Sequence, residues 1–184
     1  MAMKELTREH VALAEEYCMH FHEGQFRKGR NLPYSDHPKA VAQILKKYGY
    51  DDPLTQIIAL LHDTVEDSEL KMNQIHEVFG YEVSNGVYIL SKNKGKMRDG
   101  KRLSHDDYIQ RLYWARNKIK RVKIADMIDN TRDLQSLSEQ GIERKIENAK
   151  CFYIPLGEEI APFMVKELCS NIDNYQKKRK MIIS

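Results

Sequence analysis

Residues Thr55–Asp67 read TQIIALLHDTVED. An apolar run stops abruptly at one histidine and three acids. Carboxylates beside a core-facing run are costly to bury unless they are paired or bound to a metal. The run is preceded by Asp51-Asp52-Pro53, a helix start with proline in the first turn. On a continuous helix His62 and Glu66 stand four apart, as do Asp63 and Asp67, so all four share one side. That patch predicts metal binding by His62 and Asp63 and handling of water by Glu66 and Asp67.

Outward from this stretch the pattern stays helical. Thr7 is a plausible N-cap for a first helix carrying Val11, Ala14, Cys18 and Phe21 at helical spacing. Gly24–Pro33 breaks the pattern and reads as a loop. A helix from Asp36 carries Val41, Ile44 and Leu45 and stops at Tyr48-Gly49. Further helices are expected over Lys71–Phe79, Glu82–Leu90, Tyr108–Trp114 after a capped start at Ser104, Ile119–Leu137, Ile142–Tyr153 and Pro162–Gln176. Tyr108, Tyr113 and Trp114 read as core, and Ser91–Arg102 as a mobile basic loop. No segment alternates cleanly enough to argue for a sheet. The fold class is therefore all-α, as one domain over residues 1–184, with a motif-bearing core at about 20–137 and closing helices at 138–184.

Composition agrees. The 184 residues are 41% hydrophobic and 31% charged, an ordinary globular balance. Nine glycines and five prolines are too few for a turn-rich β fold. A formal net charge of +3 suits an anionic substrate and equally describes an ordinary solvated surface. Cys18, Cys151 and Cys169 are odd in number and widely spaced, which argues against a disulfide framework and a thiolate zinc site. MAMKELTREH has no apolar signal core, and no apolar run is long enough to span a bilayer. The expected location is the cytoplasm, with no membrane partner. The basic QKKRK near the C-terminus (Gln176–Lys180) reads as a solvated helix end, and no nucleic-acid partner is expected. Nothing in the sequence fixes an oligomeric state.

Two more segments carry chemistry. In KIADMIDNTRDL, Lys123–Leu134, Asp126 sits among Val122, Ile124, Ala125, Met127 and Ile128 and needs a partner. Asp126, Asn130 and Asp133 fall on one helical face. In PYSDHPKAV, Pro33–Val41, His37 stands at a helix start. Each alone has a plain structural explanation: a core histidine, half of a buried ion pair, a local amide contact. The dipeptide His105-Asp106 reads as part of a polar helix start. In combination, two imidazoles and two carboxylates suit a divalent metal with open positions, Mn, Fe(II) or Zn. Water on such a metal becomes a nucleophile near neutral pH, as hydrolysis of a phosphate ester requires.

These segments, QFRKGRNLPYSDHP, LLHDTVED and VKIADMIDNTRDL, resemble the hydrolase domain of the RelA/SpoT alarmone enzymes and their short single-domain relatives. The resemblance covers roughly residues 20–137. It implies an all-α HD-domain fold and Mn-dependent removal of the 3′-pyrophosphate from ppGpp or pppGpp, with one Mn ion and other divalent metals as substitutes. By the same resemblance His37, His62, Asp63 and Asp126 are the metal ligands. Glu66 and Asp67 orient and deprotonate the attacking water. Arg27 and Lys28 match the basic pair that packs against guanine and offsets phosphate, Asn130 a nucleotide contact, and Tyr34 a pocket aromatic. Asp133 stands where the family often has threonine, and Lys92 stands near a family lysine position within reach of the pyrophosphate. A planar Arg27 guanidinium suits both a base and a phosphate on physical grounds alone.

Long members of that family continue into synthetase and regulatory domains, so an alarmone-degrading activity without synthesis is expected. Two other functions remain open at this stage. One is a different HD phosphohydrolase, acting on a nucleotide monophosphate, an adenosine alarmone or another 3′-phosphorylated nucleotide. The other is a non-catalytic nucleotide-binding regulator.

Overall fold

The structure is a computed structural model that describes residues 4–29, 31–92 and 103–183. Ten of the twelve positions from Ser91 to Arg102, the expected basic loop, lie outside the described residues; Ser91 and Lys92 are described.

Helix α1 spans Arg8–Phe21, α2 Asp36–Lys47 and α3 Pro53–Leu61. A short α4 covers Thr64–Asp67, followed by α5 at Met72–Phe79 and α6 at Tyr81–Leu90. Then come α7, His105–Tyr113, and α8, Asn117–Thr131. A 3₁₀ turn at Leu134–Ser136 leads to α9, Glu139–Asn148, which runs through a π turn, Ala149–Tyr153, into α10, Ile154–Glu158. The last helix is α11, Pro162–Ile183. Among the described residues the only β pairing is an isolated bridge between Phe26 and Pro33, which closes the Gly24–Pro33 loop.

Two helices are buried almost all round. In α3 every residue from Thr55 to Leu61 is buried, which is why its sequence shows a continuous apolar run rather than a stripe. Its start is fixed by Asp52, whose carboxylate accepts from the Thr55 N–H at 3.2 Å. In α8 Ile119, Val122, Ile124, Ala125, Met127 and Ile128 are buried together with Lys123, Asp126 and Asp129. Helices α1, α2, α6 and α8 pack around α3, and α2 and α11 pack on α8. One apolar core draws on residues from Ala14 to Ile172. At Gly86 the helices α6 and α3 meet closely: a Cβ there would lie 2.4 Å from Ile58 Cδ1.

Three expectations need correction. The LLHDTVED stretch is not one helix. It breaks at His62-Asp63, where Asp63 adopts φ −102°, ψ −10° before α4 begins. The Thr64 hydroxyl donates back to the Leu61 carbonyl at 2.7 Å, so a side chain satisfies a group the helix ladder would have used. The helix expected over Ile119–Leu137 ends at Thr131, and Asp133 (φ −130°) has left it. Tyr108 is core, but Tyr113 and Trp114 are 60% and 82% exposed. They lie at the end of α7 between buried Leu112 and Ala115, on the side that meets solvent.

Candidate metal centre and substrate cleft

Three helix ends and one helix middle converge. His37 comes from the first turn of α2, His62 and Asp63 from the break after α3, and Asp126 from the centre of α8. His37 Nε2 lies 3.1 Å from Asp126 Oδ1 and 3.6 Å from Asp63 Oδ2. His62 Nε2 lies 3.3 Å from Asp63 Oδ2 and 3.9 Å from Asp126 Oδ1. Ligand atoms of His37, His62 and Asp63 all fall within 4.8 Å of one another.

Both imidazoles are anchored from behind. His37 Nδ1 meets Asp129 Oδ2 at 2.7 Å, and His62 Nδ1 meets the Ala59 carbonyl at 2.8 Å. Acceptors at both Nδ1 atoms put the proton there and turn each Nε2 lone pair toward the carboxylates. His62 Nε2 is buried without a hydrogen-bond partner. Two lone pairs facing two carboxylates require a cation, so the donor set fits a divalent metal bound by nitrogen and oxygen. The acids demand positive charge at this point. Burial works against charge on His37, yet Asp126 and Asp129 lift its pKa to about 9, and a bound cation would take the place of the Nε2 proton. Burial raises the pKa of Asp63, but His62 and His37 hold it below the ordinary carboxylate range. Burial does the same to Asp126, and Lys123 and His37 hold it far below that range.

The centre opens into a cleft of about 920 Å³. Of the residues expected at the site, Arg27, Lys28, Tyr34, His37, Asp63, Glu66, Asp67, Lys92, Asp126, Asn130 and Asp133 line it, while His62 is buried beneath. The Tyr34 hydroxyl donates to Asp63 at 2.8 Å and reaches Asp67 at 3.4 Å, which pins both acids. Glu66 Oε2 accepts from the Lys92 backbone N–H at 2.9 Å. Arg27 pairs with Asp129 at 2.9 Å. Gly29, at φ +72°, carries the Gly24–Pro33 loop past Ser136, which a Cβ would meet at 3.1 Å. Asn130 is engaged locally: its amide donates to the Asp126 carbonyl (3.0 Å) and carboxylate, and its Oδ1 accepts from Lys145 at 2.8 Å.

A family model described as HD domain matches residues 14–158. The chain belongs to the HD-domain family. It is 28% identical, across 97% of its length, to a Synechocystis protein named probable guanosine-3′,5′-bis(diphosphate) 3′-pyrophosphohydrolase. It is 32% identical, across 87% of its length, to a GTP pyrophosphokinase of Streptomyces coelicolor. The chain spans 25% of the first relative and 19% of the second. The fold matches a solved structure described as a metazoan ortholog of SpoT that hydrolyzes ppGpp, with TM-score 0.78 and 23% identity, covering 94% of this chain and 98% of that one.

Several residues of this HD domain's cleft escaped the sequence reading. Asp129 orients His37 and holds Arg27; a second acid in a buried helix, three positions after Asp126, was the available signal. Lys123 is buried and paired with Asp126; a lysine inside an otherwise apolar run was the available signal. Arg144 and Lys145 of α9 line the cleft from a segment with no recognisable motif. His105 also lines it, while Ser104 caps α7 as expected, accepting from the Asp107 N–H at 3.0 Å.

Proposed function

We propose that this HD domain removes the 3′-pyrophosphate of guanosine alarmones, converting ppGpp or pppGpp to GDP or GTP plus pyrophosphate. The observation that carries the reading is one cleft holding both the His/Asp cluster and a crowd of cations: Arg27, Lys28, Lys92, Lys123, Arg144 and Lys145. The name of the Synechocystis relative supports the same chemistry. The single apolar core supports treating residues 1–184 as one hydrolase unit.

His37, His62, Asp63 and Asp126 would hold the metal, for which manganese is the choice by resemblance. When bound, the cation supplies Lewis-acid stabilisation of phosphoryl charge and makes water more acidic. Glu66 and Asp67 orient the attacking water and take its proton. Water attacks the phosphorus on the 3′ oxygen, the P–O3′ bond breaks, the 3′ oxygen gains a proton and pyrophosphate departs. Lys92 and Lys28 offset charge on the departing group. Lys92 has its own proton affinity lowered, first by Lys123 and then by burial, so an incoming anion relieves repulsion already present. Arg27 stacks on the base, Tyr34 keeps Asp63 and Asp67 in place, and Asn130 and Asp133 face the nucleoside.

Glu66→Gln tests the assignment. Turnover of ppGpp should fall at least about 100-fold, as for loss of a general base, with bound manganese unchanged. A variant with full activity would remove Glu66 from the mechanism.

A further inference from the structure

The cleft's cations differ in how they are balanced. Lys123 is paired with Asp126, and Arg27 with Asp129. Lys145 has no carboxylate partner among the described residues; its Nζ is held by the neutral Asn130 Oδ1 at 2.8 Å. A half-buried ammonium left without an anion is costly. Burial lowers its pKa to about 8; Asp126 opposes that, and Lys123, Lys92 and Arg27 add to the lowering. Lys145, Lys123, Lys92 and Arg27 all line the one cleft. Asp126, the acid that partly compensates, belongs to the metal cluster. Lys145 is also displaced from that cluster by one side chain, since Asn130 stands between it and Asp126.

We infer that Lys145 binds the phosphate group of the substrate that does not react, the 5′-diphosphate. This rests on the proposed alarmone reading and extends it. The reacting 3′-diphosphate occupies the metal end, with Lys92 and Lys123. The second phosphate arm lies along α9, where Lys145 leaves Asn130 Oδ1 to donate to it and Arg144 stands beside it on the same helix. An exposed lysine would supply little; a desolvated one without an anion has most to gain from a charge-assisted bond.

The two products separate the two ends. GDP keeps the 5′-diphosphate, and inorganic pyrophosphate is the piece released at the metal. Calorimetric titration of both into manganese-loaded wild type, Lys145→Met and Lys145→Arg gives the test. GDP affinity should fall about tenfold in Lys145→Met, the loss of one charge-assisted contact, and recover in Lys145→Arg. Pyrophosphate affinity and manganese content should stay unchanged. Unaltered GDP binding in Lys145→Met would overturn the inference, and an equal loss for both ligands would place Lys145 at the reacting phosphate instead. Wild type that binds neither product and does not turn over ppGpp would count against the alarmone reading itself. Wild type that hydrolyses ppGpp, with Lys145→Met binding GDP normally, would count against Lys145 alone.

Discussion

At His37 one ring links three acids: Asp126 and Asp63 in front at Nε2, and Asp129 behind at Nδ1. The rear contact holds the ring in place, so under the proposed function Asp129 positions His37 for the metal without touching it. Asp129→Ala should weaken manganese binding by about 10–100-fold, the usual range for an outer partner of a ligating histidine. A manganese titration of the variant checks this, and unchanged affinity would dissociate Asp129 from the centre. The same residue shows what sequence could and could not reveal. The four residues of the His/Asp cluster were legible because histidine and aspartate beside apolar runs have few cheap explanations. Asp129 sits in the same run and was passed over, because nothing in one dimension shows that α2 brings His37 against it. Lys145 was less legible still, since its burial depends on α9 folding back over the cleft.

Among the elements, the helical content was readable and the breaks were not. Periodicity and caps located α1, α2, α3 and the start of α7 closely. The break at His62-Asp63 was hidden because side-chain bonds back to the backbone, such as that of Thr64, leave no mark on hydrophobic periodicity. The break nevertheless serves the site. It turns His62 and Asp63 to the metal cluster while Glu66 and Asp67 line the cleft. The same element scale gives a prediction at the α3–α6 contact. Gly86→Ala gains about 1 kcal/mol of helix propensity but overpacks Ile58 at a cost of about 1–3 kcal/mol. The urea midpoint should fall. The added cost should shrink when Ile58→Val removes the Cδ1 that the new methyl would strike. A Gly86→Ala protein more stable than wild type would show that the two helices have room to separate.

Across the whole molecule, Glu167 of α11 ties the closing helix to the two helices that carry His37 and Asp126. It accepts from Lys47 and Tyr48 beside the end of α2, both at 2.6 Å, and from Arg132 after α8 at 2.6 Å. Burial raises its pKa, but these donors outweigh burial and bring it from 4.5 down to about 2. A depressed carboxylate stabilises the fold fully above its unfolded pKa and loses that contribution as pH falls through the folded one. Wild type should therefore exceed Glu167→Gln in stability at pH 7, by about 1 kcal/mol after solvent screening. The difference should shrink between pH 4.5 and 2. A gap independent of pH would mean that the network acts by packing rather than charge. No helix among the described residues is long and apolar enough to cross a membrane.

The alarmone reading, which joins the metal cluster to the basic cleft, is tested most directly by product analysis of the purified protein. The protein is incubated with manganese and, separately, ppGpp, pppGpp, pppApp, dGMP and dGTP. Release of GDP and pyrophosphate from ppGpp, abolished by a chelator and restored by manganese, is the predicted result. Turnover of another nucleotide with none of ppGpp would contradict the alarmone assignment while leaving the metal centre in place.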